Sequence, residues 1–378
     1  MADQDQFDVV DLFSGVGGLS LGAARAGFTL ACAAENDLHA AAGHRRNFLK
    51  TRHLEEDVSK LTGQGLRELL ALPNGKLAGI IGGPPCQGFS AIGRNDADDP
   101  RNNLFGDFFR IVSEAKPKFF LAENVPGILT ERYADVRERA LSVVSGQYVN
   151  LPPIKVCARD YGAPTTRTRV FFIGYLKDEM EALNVDDFKP SKSTKFVRVR
   201  DALKGLPIKI NPNWQTEKEG WRIARAYGSG YFQDRLHGFV PEGVGNELAL
   251  SVLRKDRKAS GSLGTIHSPK VEKRYANTKL GKSDPISKSH RLDPKGFCPT
   301  LRAGTGSERG SYQAVRPLHP TEARVITPRE AARLQGFPDW FQFAPSKWHS
   351  FRQIGNSVSP ILAEQILSVI GKAIGTRQ

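Results

Sequence analysis

A strand followed by a glycine-rich turn and a helix opens the chain, and this order constrains the fold more than any other feature. Residues 7–13 (FDVVDLF) form a short apolar run, the turn SGVGG follows, and a helical pattern continues from Leu19. Helical stretches also separate the other predicted strands, which are 29–34, 77–81, 118–122, 154–158 and 169–175. This alternation predicts an α/β fold with a mostly parallel sheet flanked by helices.

The regular alternation ends near residue 183. From there to about residue 320 the chain is rich in Gly, Pro, Ser, Lys and Arg and has weak periodicity. Helical patterns return at 328–334 and 360–374. With 378 residues, of which 39% are hydrophobic, the chain is long enough for a substantial core and for about two domains.

Several classes of protein are excluded by the composition. No apolar run approaches the ~18 residues of a membrane span, and the first residues lack the basic and apolar pattern of a signal peptide. The four cysteines are far apart and form no CxxC pair, which argues against a disulfide framework or a zinc ribbon. We therefore expect a soluble, intracellular protein with free thiols, no metal and no membrane partner.

The positive charge is concentrated in the irregular part of the chain. Residues 181–320 contain 26 Lys and Arg against 14 Asp and Glu, a net charge of 26 − 14 = +12, whereas the whole chain carries +14. The other residues therefore share only 14 − 12 = +2. Such asymmetry indicates a surface for an acidic polymer, although a solvated basic surface would give the same count.

The glycine turn and the acidic residue after the next strand indicate a cofactor. Gly15, Gly17 and Gly18 allow the backbone to approach a ligand closely, and Glu35 follows about twenty residues later, at the end of the second strand. A carboxylate there can accept both hydroxyls of a ribose. The spacing GxGG differs from the dinucleotide GxGxxG, and no Walker lysine follows, so a nucleoside without a pyrophosphate is favoured. This points to S-adenosylmethionine, whereas the turn alone would fit a tight turn without a ligand.

Cys86 is the candidate nucleophile. It lies in GGPPCQGFS (82–90), directly after a predicted strand, where prolines stiffen the approach and glycines permit a sharp, exposed turn. A lone cysteine is more often a small buried hydrophobe, but the polar neighbours do not suit a core strand. A thiolate is a strong nucleophile near neutral pH.

Glu123 and two arginines are the further candidates for the same site. Glu123 follows the apolar strand FFLA, where it is either a helix-capping carboxylate or an acid brought near Cys86 and Glu35 by the sheet topology. Arg167 and Arg169 alternate at strand spacing and so share one face, from which guanidinium groups can orient a carboxylate, a carbonyl or a phosphate. By themselves such arginines are more often surface charges.

Taken together, these residues resemble the bacterial-type DNA (cytosine-5)-methyltransferases. The matching segments are 11–22, Glu35-Asn36, Asp57-Val58, 83–90 with its Pro-Cys-Gln, Glu123-Asn124-Val125, 161–169, 327–339 (TPREAARLQGFPD) and 353–360 (QIGNSVSP). One departure is Thr165, where the family usually has Gln. The resemblance covers about 1–180 and 320–378 and leaves the basic stretch as the family's variable target-recognition region.

The resemblance implies roles for individual residues. Cys86 is expected to add to C6 of cytosine, Glu123 to bind N3 and the exocyclic amine, and Arg169, beside Arg167, to contact the base carbonyl and hold Glu123. The residues expected around S-adenosylmethionine are Phe13, Gly15, Gly17, Gly18, Glu35, Asn36, Asp57, Val58, Pro85, Leu104, Asn356 and Ser357. The residues expected to contact DNA are Gln87, Ser90, Arg302, Arg309 and Tyr312. His267, His290 and His319 are expected at the surface or against DNA rather than as metal ligands.

The resemblance also implies the organisation and partners of the chain. A catalytic, cofactor-binding domain of Rossmann-like methyltransferase fold is expected at 1–183 and 352–378, and a smaller irregular target-recognition domain at 184–351. The implied substrate is double-stranded DNA, from which the cytosine is flipped out. We expect a monomer in a prokaryotic cytoplasm. Whether a cognate restriction endonuclease acts separately alongside it stays open.

Two other functions are compatible with parts of this pattern. A tRNA cytosine-5 methyltransferase would use the same chemistry on RNA, although the long basic region favours duplex DNA. A catalytically inactive DNA-binding regulator would keep the fold, but it has no need of Cys86, Glu123 and Arg169.

Overall fold

An eight-stranded sheet forms the centre of the protein. The computed structural model describes residues 7–72, 77–85, 103–304 and 315–375. Within these residues the strand order is β3-β2-β1-β4-β5-β8-β6, and β7 also pairs with β8. The strands are β1 (Asp8–Leu12), β2 (Thr29–Ala34), β3 (Arg52–Leu54), β4 (Gly79–Gly82), β5 (Phe119–Asn124), β6 (Val149–Asn150), β7 (Ile154–Cys157) and β8 (Thr168–Tyr175).

The sheet is parallel on one side and antiparallel on the other. Strands β1 to β5 pair in parallel, whereas β8 runs antiparallel to β5, β6 and β7. The carboxyl ends of the parallel strands therefore meet at one edge of the sheet, and β8 begins at that same edge. The predicted α/β class with a mostly parallel sheet is confirmed, and each predicted strand lies within two residues of an observed one.

Both faces of the sheet are buried, each in its own apolar layer. In β1, Val9 belongs to one layer and Val10 to the other, because successive side chains of a strand point to opposite faces. Phe119 and Phe120 of β5 divide in the same way. Continuous apolar runs such as these are typical of strands covered on both faces.

Helices cover the two faces. The helices of the described residues, including those outside the layers of the sheet, are α1 (Gly18–Arg25), α2 (Leu38–Asn47), α3 (Gly63–Leu69), α4 (Asn103–Ala115), α5 (Ala134–Ser145), α6 (Val199–Leu203), α7 (Tyr231–His237), α8 (Glu247–Asp256), α9 (Pro269–Asn277), α10 (Pro328–Gln335), α11 (Lys347–Asn356) and α12 (Pro360–Ile374). Helices α1 and α12 pack closely, since a Cβ built on Gly22 would lie 2.3 Å from the Cβ of Ala363. The last helix thus packs on the first.

Residues 184–351, which we call the recognition region, are organised differently. They contain short helices and a two-stranded sheet of β9 (Arg222–Ile223) and β10 (Lys258–Ala259). The helix start expected at Thr327-Pro328 is confirmed, because Thr327 caps α10 and forms a reciprocal capping box with Glu330. The side chain of Arg235 in α7 bonds to Glu364 in α12 at 2.8 Å, which joins this region to the sheet.

The end of the chain also contains its most apolar helical stretch. Residues Lys347–Ile374 are long and apolar enough to cross a membrane by length and composition alone. In the structure 67% of the apolar window is buried, as in a helix that belongs to a protein core. The boundaries of the two expected domains stay a prediction.

Candidate active site

The turn after β1 adopts an unusual backbone conformation. Phe13, Gly15 and Gly17 have φ values of 61°, 57° and 100°, in the left-handed region that side chains other than glycine rarely adopt. A Cβ built on Gly17 would lie 2.3 Å from the ring of Phe48, so only glycine fits there. Phe13 is a non-glycine residue in this region, so the turn holds backbone strain that its surroundings must maintain.

Glu35 is bound to this turn. Its Oε2 accepts a hydrogen bond from the backbone N–H of Gly15 at 2.8 Å, and its Oε1 accepts one from Asp37 at 2.8 Å. Burial raises the pKa of the Glu35 carboxyl, and the two backbone donors oppose that rise. The structure therefore places Glu35 beside the glycine turn, as expected from the sequence.

The neighbouring strand end adds Asp57 and Val58. Asp57 caps a short 3₁₀ helix at Val58–Lys60, and its side chain accepts a bond from Ser59. The backbone N–H of Glu35 donates to the carbonyl of Leu54 at 3.0 Å, so the ends of β2 and β3 are tied together. Val58 is buried, whereas Asn36 is exposed.

Glu123 and Arg169 form an ion pair at the same edge of the sheet. Glu123 is near the end of β5 and Arg169 near the start of β8, and the Nε of Arg169 contacts the Oε1 of Glu123. Both side chains are about nine-tenths buried, with exposed fractions of 12% and 10%. An arginine held in direct contact fixes the orientation of the carboxylate.

The segment after β4 lies against this ion pair. A Cβ built on Gly83 would be 3.2 Å from the Oε2 of Glu123, and the side chain of Asn124 donates to the carbonyl of Pro84 at 3.4 Å. Pro85 is the last described residue before residue 103. Cys86, Gln87 and Ser90 lie outside the described residues, and their predicted roles stay predictions.

Arg167 has different partners from Arg169. Its side chain is buried and donates to the carbonyl of Leu301 at 3.1 Å and to that of Asn356 at 3.3 Å. It thus joins three distant segments, whereas only Arg169 is paired with Glu123. Thr165, the departure from the family pattern, is also buried, and it bridges to Cys298 in the neighbouring segment.

The carboxyl-terminal segment returns to the glycine turn. Asn356 is the last residue of α11, and Ser357 follows with its hydroxyl donating to the carbonyl of Gln353 at 2.7 Å. A Cβ built on Gly18 would lie 2.4 Å from the carbonyl oxygen of Val358 and 3.0 Å from the Cβ of Ser357. Leu104, in the first turn of α4, is half-buried.

A buried chain of hydrogen bonds behind the turn was not anticipated from the sequence. Ser20 contacts Asp11, its hydroxyl lies 2.9 Å from the Nε2 of His44, and the Nδ1 of His44 lies 2.8 Å from the Nε2 of His53. Burial raises the pKa of Asp11 to about 7 and lowers the pKa of His44. An aspartate inside the apolar run VVDL was the available signal, because a charged residue there must have a partner.

The other predicted residues lie outside the site or outside the part of the chain that the structure describes. Arg302 is exposed, and its backbone packs against Gly355, next to Asn356. Arg309 and Tyr312 lie outside the described residues. The expectation that His319 lies at the surface is wrong: it is 4% exposed, and burial lowers its pKa to about 4. Its Nε2 lies 3.5 Å from Glu330, so it belongs to the interior of the recognition region.

Free thiols are confirmed for the cysteines that the structure covers, Cys32, Cys157 and Cys298. Among the described residues, no group of three or more His, Cys, Asp or Glu side chains is arranged to hold a metal ion.

The glycine turn with Glu35 bound to it and the Glu123–Arg169 pair lie at the same edge of the sheet, where open α/β folds bind their ligands. The chain belongs to the family of C-5 cytosine-specific DNA methylases, which it matches over residues 7–372. The family makes it a DNA (cytosine-5)-methyltransferase of the kind found in restriction and modification.

Individual relatives support this assignment. The chain is 36% identical over 368 residues to the type II methyltransferase M.XorII of Xanthomonas oryzae pv. oryzae, covering 97% of this chain and 84% of the relative. It is 33% identical over 383 residues to M.DdeI of Desulfomicrobium norvegicum, covering 95% and 87%. A solved structure of a putative DNA modification methyltransferase encoded within an E. coli prophage has a TM-score of 0.88 and 51% identity, covering 97% and 99%.

Proposed function

We propose that the protein transfers a methyl group from S-adenosylmethionine to C5 of a cytosine that is flipped out of a specific duplex DNA sequence. The proposed route is a covalent adduct between Cys86 and C6 of the base. The observation that carries the proposal is the buried Glu123–Arg169 ion pair beside Gly83 and Pro84. It supports a carboxylate held rigidly next to the segment that leads into Cys86.

The glycine turn has properties that fit the cofactor. Among the described residues other than its two chain neighbours, none has an atom within 4 Å of a Cβ built on Gly15, which leaves space beside the turn. Within the described part of the chain, the Oδ1 of Asp11 and the hydroxyl of Ser14 are buried without a hydrogen-bond partner. Glu35 would accept the ribose hydroxyls. The other residues proposed to hold the cofactor are Phe13, Asn36, Asp57, Val58, Pro85, Leu104, Asn356 and Ser357.

The proposed chemistry requires a nucleophile, because C5 of cytosine is a weak one. S-adenosylmethionine supplies an electrophilic methyl group. The Cys86 thiolate adds to C6, and the electron pair of the C5–C6 bond becomes available at C5. Glu123, held by Arg169, stabilises the developing charge through hydrogen bonds to N3 and the exocyclic amine. C5 then attacks the methyl group, and the methyl–sulfur bond breaks with its electron pair left on the product S-adenosylhomocysteine. A base removes the C5 proton, and the C6–S bond breaks to restore the ring and the thiolate.

Access to C5 requires the base to leave the helical stack. We propose that the recognition region, which carries most of the positive charge, holds the duplex while the cytosine is extruded. Arg302, Arg309 and Tyr312 are the proposed contacts there, with Gln87 and Ser90 near the pocket. We further propose a monomer that acts in the cytoplasm. The type II relatives favour a separate cognate endonuclease.

Radiolabelled S-adenosylmethionine, incubated in parallel with genomic duplex DNA and with total tRNA, tests the substrate. We expect label in DNA only, and none with Cys86→Ala, because the adduct cannot form. Cys157→Ala is the matched control, since Cys157 is a free, half-buried thiol outside the site, and it should keep activity. Label in tRNA alone would replace the DNA substrate with RNA.

A duplex containing 5-fluorocytosine tests the covalent step. Fluorine at C5 cannot leave as a proton does, so the enzyme should stay bound to the DNA under denaturing conditions when cofactor is present. Cys86→Ala should give no such complex. Binding to DNA without trapping and without methyl transfer by the wild-type enzyme would instead support a DNA-binding regulator.

A further inference from the structure

Helix α10 is the anchor of the recognition region. Arg333 donates to the carbonyls of Ala202, Lys204 and Arg225 at 3.2, 2.7 and 3.1 Å. Arg329 donates to the carbonyl of Ser260 at 2.8 Å. Both arginines are essentially fully buried. Because the end of α6 and the segments that follow β9 and β10 are all bonded to one helix, α10 and these segments form a single unit.

The last residue of α10 is bonded in the opposite direction, to the cofactor side. The side-chain N–H of Gln335 donates to the carbonyl of Ser357 at 2.7 Å, and Gln335 is fully buried. Ser357 lies in the three-residue connection between α11 and α12, next to Asn356 and against Gly18. This bond therefore runs from the anchor of the recognition region to the segment that closes the glycine turn.

A buried glutamine at this position is energetically unfavourable unless its side-chain N–H donor has a role. Within the described residues, its Oε1 is buried with no hydrogen-bond partner. Leaving a buried acceptor unsatisfied costs free energy that an apolar side chain of the same length would avoid. The part of the Gln335 amide that has a hydrogen-bond partner is the N–H group, which donates to the carbonyl of Ser357.

We propose that Gln335 is a positioning residue that couples DNA binding to cofactor binding. The inference rests on the function proposed above. When DNA fixes the loops held by α10, Gln335 holds the Asn356–Ser357 connection in the conformation that closes on the cofactor. By linkage, the cofactor then strengthens DNA binding by the same factor.

The measurement is the dissociation constant of S-adenosylhomocysteine, by calorimetry, with and without a short duplex carrying the sequence that the wild-type enzyme methylates. We expect DNA to tighten binding about 5- to 150-fold in the wild type, the usual range for such coupling. In Gln335→Met, which keeps the length but removes the donor, the ratio should fall to within about twofold of one. Gln335→Leu, a second apolar variant without the N–H donor, should behave alike and covers failure of the first variant to fold.

Gln342→Met is the matched control. Gln342 is also a buried glutamine, but its amide bonds to Ser260 and Trp340, both inside the recognition region. It should lower the melting temperature and keep the coupling ratio. The inference is overturned if DNA does not change the affinity of the wild type for S-adenosylhomocysteine. It is also overturned if a Gln335 variant shows the same ratio of dissociation constants as the wild type. Either result leaves the proposed function intact. A wild type that binds no S-adenosylhomocysteine overturns both.

Discussion

The sheet and the recognition region solve the same problem in different ways, since each must satisfy its buried backbone groups. In the sheet, neighbouring strands pair in a ladder, and apolar side chains fill both faces. In the recognition region, buried guanidinium groups of Arg291, Arg329 and Arg333 donate to loop carbonyls. The first solution is repetitive and the second depends on single side chains, so the two regions should respond differently to mutation.

The largest expected difference concerns the ionic interactions with DNA. The recognition region carries most of the net charge, so binding constants for duplex DNA should fall about 10³- to 10⁵-fold between 50 and 200 mM salt if six to ten phosphates are contacted. Exchanging the exposed pair Lys255 and Lys258 for Gln should reduce the slope of log K against log salt, by about one for each phosphate that is no longer neutralised. The same exchange at the exposed Lys116 and Lys155, in the sheet region, should leave the slope unchanged. Equal effects of the two exchanges would contradict a DNA surface confined to the recognition region.

The next prediction concerns a single buried ion pair. Arg333 and Asp339 are both fully buried, with 2.8 Å between the Nε and Oδ1 atoms. Arg333→Met removes the guanidinium from the buried Asp339 carboxylate, which keeps His237 and the more distant Arg329, and it removes a donor from three carbonyls, so we expect a loss of about 3–5 kcal/mol in urea unfolding. The exposed Arg45–Glu55 pair provides the control, because Arg45→Met should cost less than about 1 kcal/mol. Similar losses in both variants would show that burial is not what gives the guanidinium its importance.

The third prediction uses the titration of Asp11 in the sheet region. Its pKa is raised from 3.8 to about 7, so the folded protein keeps a proton that the unfolded chain releases between these values. Stability from this group therefore falls as the pH rises from about 4 to about 7. Asp11→Asn cannot ionise, and it should gain about 1–3 kcal/mol relative to the wild type across that window.

Urea unfolding at intervals between about pH 4 and pH 8 measures this difference. A difference that does not change with pH would mean that Asp11 keeps its ordinary pKa in the folded protein.

The smallest expected effect is a change inside the apolar layers. Ile173 in β8 is buried, and Ile173→Val removes one methylene from a wall made of many side chains. We expect a loss of about 0.5–1.5 kcal/mol with methyl transfer intact. If Ile173→Val lowered the free energy of unfolding as much as Arg333→Met does, the apolar layers would be as sensitive to single substitutions as the recognition region. That result would contradict the comparison.

The same contrast explains what could be predicted from the sequence. Strands covered on both faces appear as apolar runs, so β2 and β5 were predictable, and Glu35 followed from the position at which β2 ends. Cys86 and Glu123 follow strands in the same way. The partners of Glu35 and Glu123 require only the topology of the sheet, because parallel strands bring their carboxyl ends together.

Helix α10 shows why the rest could not be predicted. All eight of its residues are buried, including Arg329, Glu330, Arg333 and Gln335. Polar side chains normally mark the solvent-facing side of a helix. The pattern of polar and apolar residues in α10 therefore does not indicate that its polar side chains are buried. The partners of Arg167 are equally invisible, because Leu301 and Asn356 are 134 and 189 residues away along the chain.

The close contact between Gly22 and Ala363 has a consequence for how the protein is made. Helix α1, which begins at the glycine turn, leaves the ribosome long before its partner α12. Until then α1 lacks the surface that it packs against, so a nascent chain carries an incomplete turn. The packing around the glycine turn is therefore completed only after α12 has been made.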